Sequence, residues 1–90
     1  MSVRGEFART VAETVACLAE SREAQARQLA AQLEQARLLA RDDLQAAARS
    51  LLDGWEAATP GAFALPSSTE VRLGEASERM LAIARIILGR

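Results

Sequence analysis

Apolar positions in the first half of the chain recur every eleven residues. Stepping by eleven from Phe7 reaches Leu18, Leu29, Ala40 and Leu51, and an adjacent line runs through Val11, Arg22, Leu33, Leu44 and Trp55. An eleven-residue repeat advances about 3.67 residues per turn, close to the natural α-helix, so these positions form a nearly straight helical stripe. No Pro or Gly interrupts residues 6–53, which are rich in Ala, Leu, Gln, Glu and Arg. The pattern predicts one helix over about residues 5–57, with Ser2 placed to cap it and its first turn between Val3 and Glu6. At 1.5 Å per residue the uninterrupted stretch 6–53 alone would reach roughly 70 Å, more than a chain of this size can bury within itself. Self-association is therefore expected to cover the stripe.

Two places test the continuity of this helix. Glu20 to Gln28 is polar, and Arg22 and Gln25 fall where the stripe calls for apolar side chains, as at a solvated hinge, a register-fixing polar layer or the edge of a partner surface. Asp42, with Gln45 three residues on, resembles a capping box. Leu39, Leu44, Ala47 and Leu51 keep helical spacing across it, which favours a continuous helix. Asp53-Gly54 weakens the helix and Thr59-Pro60-Gly61 ends it. A linker over about residues 58–67 follows, in which Phe63 and Leu65 are expected to tuck against the helices with Trp55. Ser67 and Glu70 then have capping-box spacing and open a second helix over about residues 68–88, with Gly89 as its stop. Leu73, Ala76, Ser77, Met80, Ala84 and Ile87 form its main apolar face, and Leu81, Ile83, Ile86 and Leu88 extend that face around most of the circumference near its end.

Composition narrows the chemistry. The chain has no His, Lys, Tyr or Asn, and all eleven basic residues are Arg, a bias read as that of a GC-rich bacterial genome. The usual proton shuttles and Schiff-base formers are missing, so an enzyme is not expected. Glu20-x-x-Glu23 and Glu75-x-x-Glu78 each align two carboxylates on a helix face, as in helices that hold Mg²⁺ or, with His, di-iron. Arg22 and Arg79 stand beside them and no His is available, so a solvated face is the better account and no metal or cofactor is expected. The net charge is −1, with signs interleaved at Arg9/Glu13, Glu23/Arg27, Glu34/Arg37 and Glu75/Arg79. Nucleic-acid binding needs a clustered basic face, and this pattern does not predict it. Cys17 is the only cysteine and sits between Ala16 and Leu18; it reads as a small buried hydrophobe in a reducing, cytoplasmic setting. The opening stretch does not read as a secretory signal, and no run approaches the roughly 20 apolar residues of a membrane span.

The expected architecture is all-α: one helical domain over residues 1–90, a long helix and a shorter antiparallel one forming a hairpin that assembles into an oligomeric helical bundle or coiled coil. Leu29, Leu33, Leu44, Leu51, Met80, Ala84 and Ile87 are assigned to self-association. Phe7, Val11, Val15 and Leu18, beyond the reach of the shorter helix, are assigned to partner contact. The function read from this is that of a non-enzymatic scaffold or adaptor, binding itself and another helical protein through an amphipathic helix. The alternative is an amphipathic coat on a lipid or hydrophobic-particle surface. Residues 23–39 resemble, in composition and period, the repeats of gas-vesicle accessory proteins and the helices of phasins, which implies such a coat. The Gly54-Trp55-Glu56-Ala57 junction is loosely similar to the Trp-x-Gly turn of helical-hairpin secretion substrates, with Ala57 where that turn has Gly. No functional residues are transferred from these resemblances.

Overall fold

A computed structural model describes residues 2–58 and 63–90. Among them the chain forms four α-helices and no strand: α1 (Val3–Leu18), α2 (Ala24–Leu39), α3 (Leu44–Ala57) and α4 (Ser67–Ile87). The all-helical class agrees with the apolar pattern, but the single helix over residues 5–57 does not form. It is three helices, and the chain reverses at residues 19–23 and again at residues 40–43.

Neither reversal contains Gly or Pro, so the cause lies in local hydrogen bonding and in the burial that reversal permits. At the first, the amides of Glu20 and Ser21 bond back three residues to Cys17 and Leu18, tightening the last turn of α1. Ser21 is buried there and its hydroxyl accepts from the Glu23 amide at 3.2 Å, an alternative to continuing the helix. At the second, Asp43 leaves the helical region and its carboxylate accepts from the Ala46 amide at 3.0 Å. The cap is thus Asp43, one residue after the one the sequence pattern suggested. Ser2 caps α1 as expected, accepting from the Gly5 amide at 3.0 Å. The capping box at Ser67 and Glu70 does not form: Pro66 holds the N-cap position, α4 begins at Ser67, and no side chain caps it. The Thr59-Pro60-Gly61 stop lies outside the described residues. Gly89 does end α4, with φ of 72° and a Schellman pair of bonds, Gly89 N–H to Ile86 and Arg90 N–H to Arg85.

Successive helices run up and down. Arg4 donates to the carbonyl of Ala40, bringing the start of α1 to the end of α2. Arg79 and Arg72 of α4 pair with Glu13 and Glu20 of α1 at 3.2 and 2.9 Å, so those helices are antiparallel as well. Two residues assigned above to intrahelical pairs, Glu13 and Arg79, therefore join each other across helices. Each helix packs on its sequence neighbours, and α4 closes the ring against α1. The molecule measures 32 × 22 × 20 Å with a radius of gyration of 12.2 Å. A compact domain of this length is expected at about 12 Å. The longest dimension matches the roughly 32 Å of the 21-residue α4, not a 70 Å rod.

The stripe explains the core. Phe7, Leu18, Leu29, Ala40 and Leu51 are all buried, joined by Val11, Leu33, Ala47, Ala48, Met80 and Ala84. Thr10 and Thr14 enter this interior by bonding their hydroxyls back to carbonyls of their own helix.

Candidate functional site

Folding back has a direct consequence for the residues assigned to contacts with other molecules. Phe7, Val11 and Leu18, assigned to a partner, are buried by this chain's own helices, and Val15 is partly buried against the same core. Leu29, Leu33, Leu51, Met80 and Ala84, assigned to self-association, are likewise interior, while Leu44 and Ile87 are half covered. The physical reason is that three short antiparallel helices bury within one chain the stripe that a single rod would have presented outward. A surface for another molecule must therefore be sought elsewhere.

Of the polar candidates, Glu20 and Glu23 are engaged within the fold. The Glu20 carboxylate accepts from the Thr69 hydroxyl at 3.0 Å and from Arg72 at 2.9 Å, fastening the α1–α2 turn to the start of α4. Glu23 accepts from the Ala64 amide at 2.8 Å, holding the linker. The two carboxylates thus face different partners. No group of three or more Cys, Asp or Glu side chains converges as a metal site among the described residues. Cys17 is buried under the α1–α4 seam; burial raises its thiol pKa, Arg72 opposes that, and Glu20 and Glu13 add to it. Such a thiol stays protonated and is a poor nucleophile. On the surface, Arg37 donates to Glu34, which lowers the Glu34 carboxyl and raises the guanidinium.

What the core leaves exposed is a different set of apolar groups. Val71 and Ile86 of α4 are 62% and 63% exposed, and Val3, Leu38 and Leu39 are also open. The seam between α3 and α4 holds a groove of about 240 Å³, walled by Trp55, Phe63 and Leu65 on one side and by Glu70, Leu73 and Ser77 on the other. Gly74 lies in it. A Cβ built on Gly74 would meet none of the described residues within 4 Å. Gly54 of α3 contrasts with it, since a Cβ there would come within 3.1 Å of the Gln32 side chain. Glycine in a helix interior costs about 1 kcal/mol relative to Ala, and at Gly74 no close packing among the described residues offsets that cost. The sequence pattern singled out neither Gly74 nor Val71, because a lone glycine or valine outside the apolar face is unremarkable until the helix is placed.

A second groove of about 260 Å³ between α2 and α3 is lined by Gln25, Gln28 and Gln32 with Gly54 and Ala57. Its amides offer donors and acceptors without charge or a titrating group. No described helix is long and apolar enough to cross a membrane. Compared with known proteins, the chain matches no family model, no curated protein and no solved structure. Function must be argued from the groove itself. The α3–α4 groove thus combines aromatic and aliphatic side chains with α4 backbone left bare at Gly74.

Proposed function

We propose that this chain is a non-enzymatic helical interaction module, a scaffold or adaptor that works in the reducing cytoplasm and receives an amphipathic helix in its α3–α4 groove. The observation that carries this reading is Gly74, an exposed mid-helix glycine lining this groove with none of the described residues within 4 Å of its Cβ position. Trp55, half exposed in the same groove, supplies the large amphipathic ring that interfaces favour. The reading keeps the adaptor function expected from the sequence and moves its surface from the α1 stripe to α4. A coat on lipid or hydrophobic particles has less support, because the stripe that would lie on such a surface is used to close the core.

The test is selection of displayed helical peptides against the purified protein. Binders are expected to weaken about tenfold or more on Gly74→Gln or Trp55→Ala and to be indifferent to Arg27→Ala on exposed α2. Binders that ignore the two groove substitutions would remove the groove as the docking face.

A further inference from the structure

The groove also indicates what fills it. We propose that a second copy of this chain lays its α4 antiparallel into the α3–α4 groove, about a two-fold axis passing between Ser77 and Glu78. The proposal rests on the reading of this groove as a helix-binding face and names its occupant.

Glu70, Gly74 and Ser77 line the groove, and steps of four residues continue their row to Leu81 and Arg85. Spacings of four, three, four and four keep all five on one side of the helix. Ser77 is buried and Leu81 half buried, while Glu70, Gly74 and Arg85 are exposed, so both ends of the row face solvent. Turning a second α4 end for end about the middle of this row sets Leu81 of one copy over Gly74 of the other. The same rotation sets Arg85 beside Glu70. Each contact occurs twice, as a closed two-fold interface requires.

The residues fit at each level. Leu81 is a branched apolar knob, and Gly74 is a position with no side chain and free space above it. Glu70 and Arg85 have opposite signs at opposite ends of the row, so the antiparallel arrangement forms two ion pairs. A parallel arrangement would set Glu70 on Glu70 and Arg85 on Arg85. Sliding the antiparallel pair by one turn to centre it on Gly74 would set Glu70 against Glu78. Charge therefore selects the direction and disfavours that slide. The helix dipole alone accounts for acid early and base late in α4, but not for their sharing a seam with the glycine and the leucine. One helical seam buries less than the roughly 1,200 Å² of stable complexes, so half-association is expected at about 10–100 µM.

The experiment is light-scattering mass across about 5 to 500 µM, with Trp55 emission followed on the same samples. The wild type is expected to rise from 9.7 kDa to twice that mass, and the single Trp to shift to the blue in step. Gly74→Gln, whose Cβ has room among the described residues, is expected to stay at 9.7 kDa at concentrations at least about tenfold higher, with helicity retained. Glu70→Arg is expected to weaken association about tenfold, and Glu70→Arg with Arg85→Glu to restore it. A wild type that holds 9.7 kDa throughout overturns self-pairing, as does a dimer indifferent to Gly74→Gln and to the charge exchange. If that monomer still binds displayed helices through Gly74 and Trp55, the helix-binding reading stands alone; if it does not, both fall.

Discussion

Phe7 has no exposed surface in a chain whose only other aromatics are Phe63 and Trp55, so it fills a volume that the surrounding alanines cannot. Phe7→Ala is expected to cost about 3–5 kcal/mol, a large part of the 5–15 kcal/mol typical of a domain, whereas Val71→Ala should stay within about 0.5 kcal/mol. Urea unfolding followed by circular dichroism measures both, and equal effects would contradict the burial pattern. Cys17 gives a pH signature. Burial raises its folded-state pKa above the ordinary value of 9.0, so the folded state holds a proton that the unfolded chain gives up first. The associated stability is complete below the unfolded value and falls as pH rises toward the folded one. With no Lys or Tyr in the chain, no other side chain titrates in that window. Between about pH 8.5 and 10.5 the wild type should lose stability while Cys17→Ala stays level; parallel curves would mean that the thiol is solvated.

The elements show which parts of the fold the sequence pattern could convey. Buried Leu18 and Ala26 are eight residues apart, and buried Ala40 and Ala47 seven, although a reversal separates each pair. Seven and eight residues are also about two turns of unbroken helix, so the apolar phase passes through both turns unaltered. Core membership was therefore legible, and chain direction was not. The remaining signals were single hydrogen bonds, from Ser21 and Asp43, which periodicity does not weigh. The caps separate these readings experimentally. Asp43→Ala should cost about 1 kcal/mol, while Asp42→Ala and Ser67→Ala, neither of which caps, should change stability by under about 0.3 kcal/mol. A larger loss at Ser67 than at Asp43 would restore the capping box expected from the sequence and displace Asp43. Gly74 and its empty surroundings belong to the part that pattern alone could not reveal, since a mid-helix glycine acquires meaning only once its neighbours are known.

At the scale of the molecule, the decisive difference is between a rod that needs a partner to be covered and a bundle that covers itself. A 70 Å rod would have a radius of gyration of roughly 20 Å, against the 12.2 Å of the folded-back chain, and dilute-solution X-ray scattering distinguishes them. The bundle depends on α4. It closes the ring against α1 through the largest of the helix interfaces, with Arg72 and Arg79 pairing to Glu20 and Glu13 at its edge. These pairs are surface-exposed, so the stability comes mainly from the apolar side chains beneath, among them Leu73, Met80 and Ala84. α1, α2 and α3 are 16, 16 and 14 residues long, lengths at which isolated helices are marginal in water. A chain ending at Pro66 would keep all three yet open the α1 face against which α4 packs, with Cys17 on it. It is expected to lose most of its helical circular dichroism and its sharp urea transition together, because folding of a domain this small is a single cooperative event. Retention of near-native helicity by the truncated chain would mean that the first three helices form a core of their own, with α4 as an appendage.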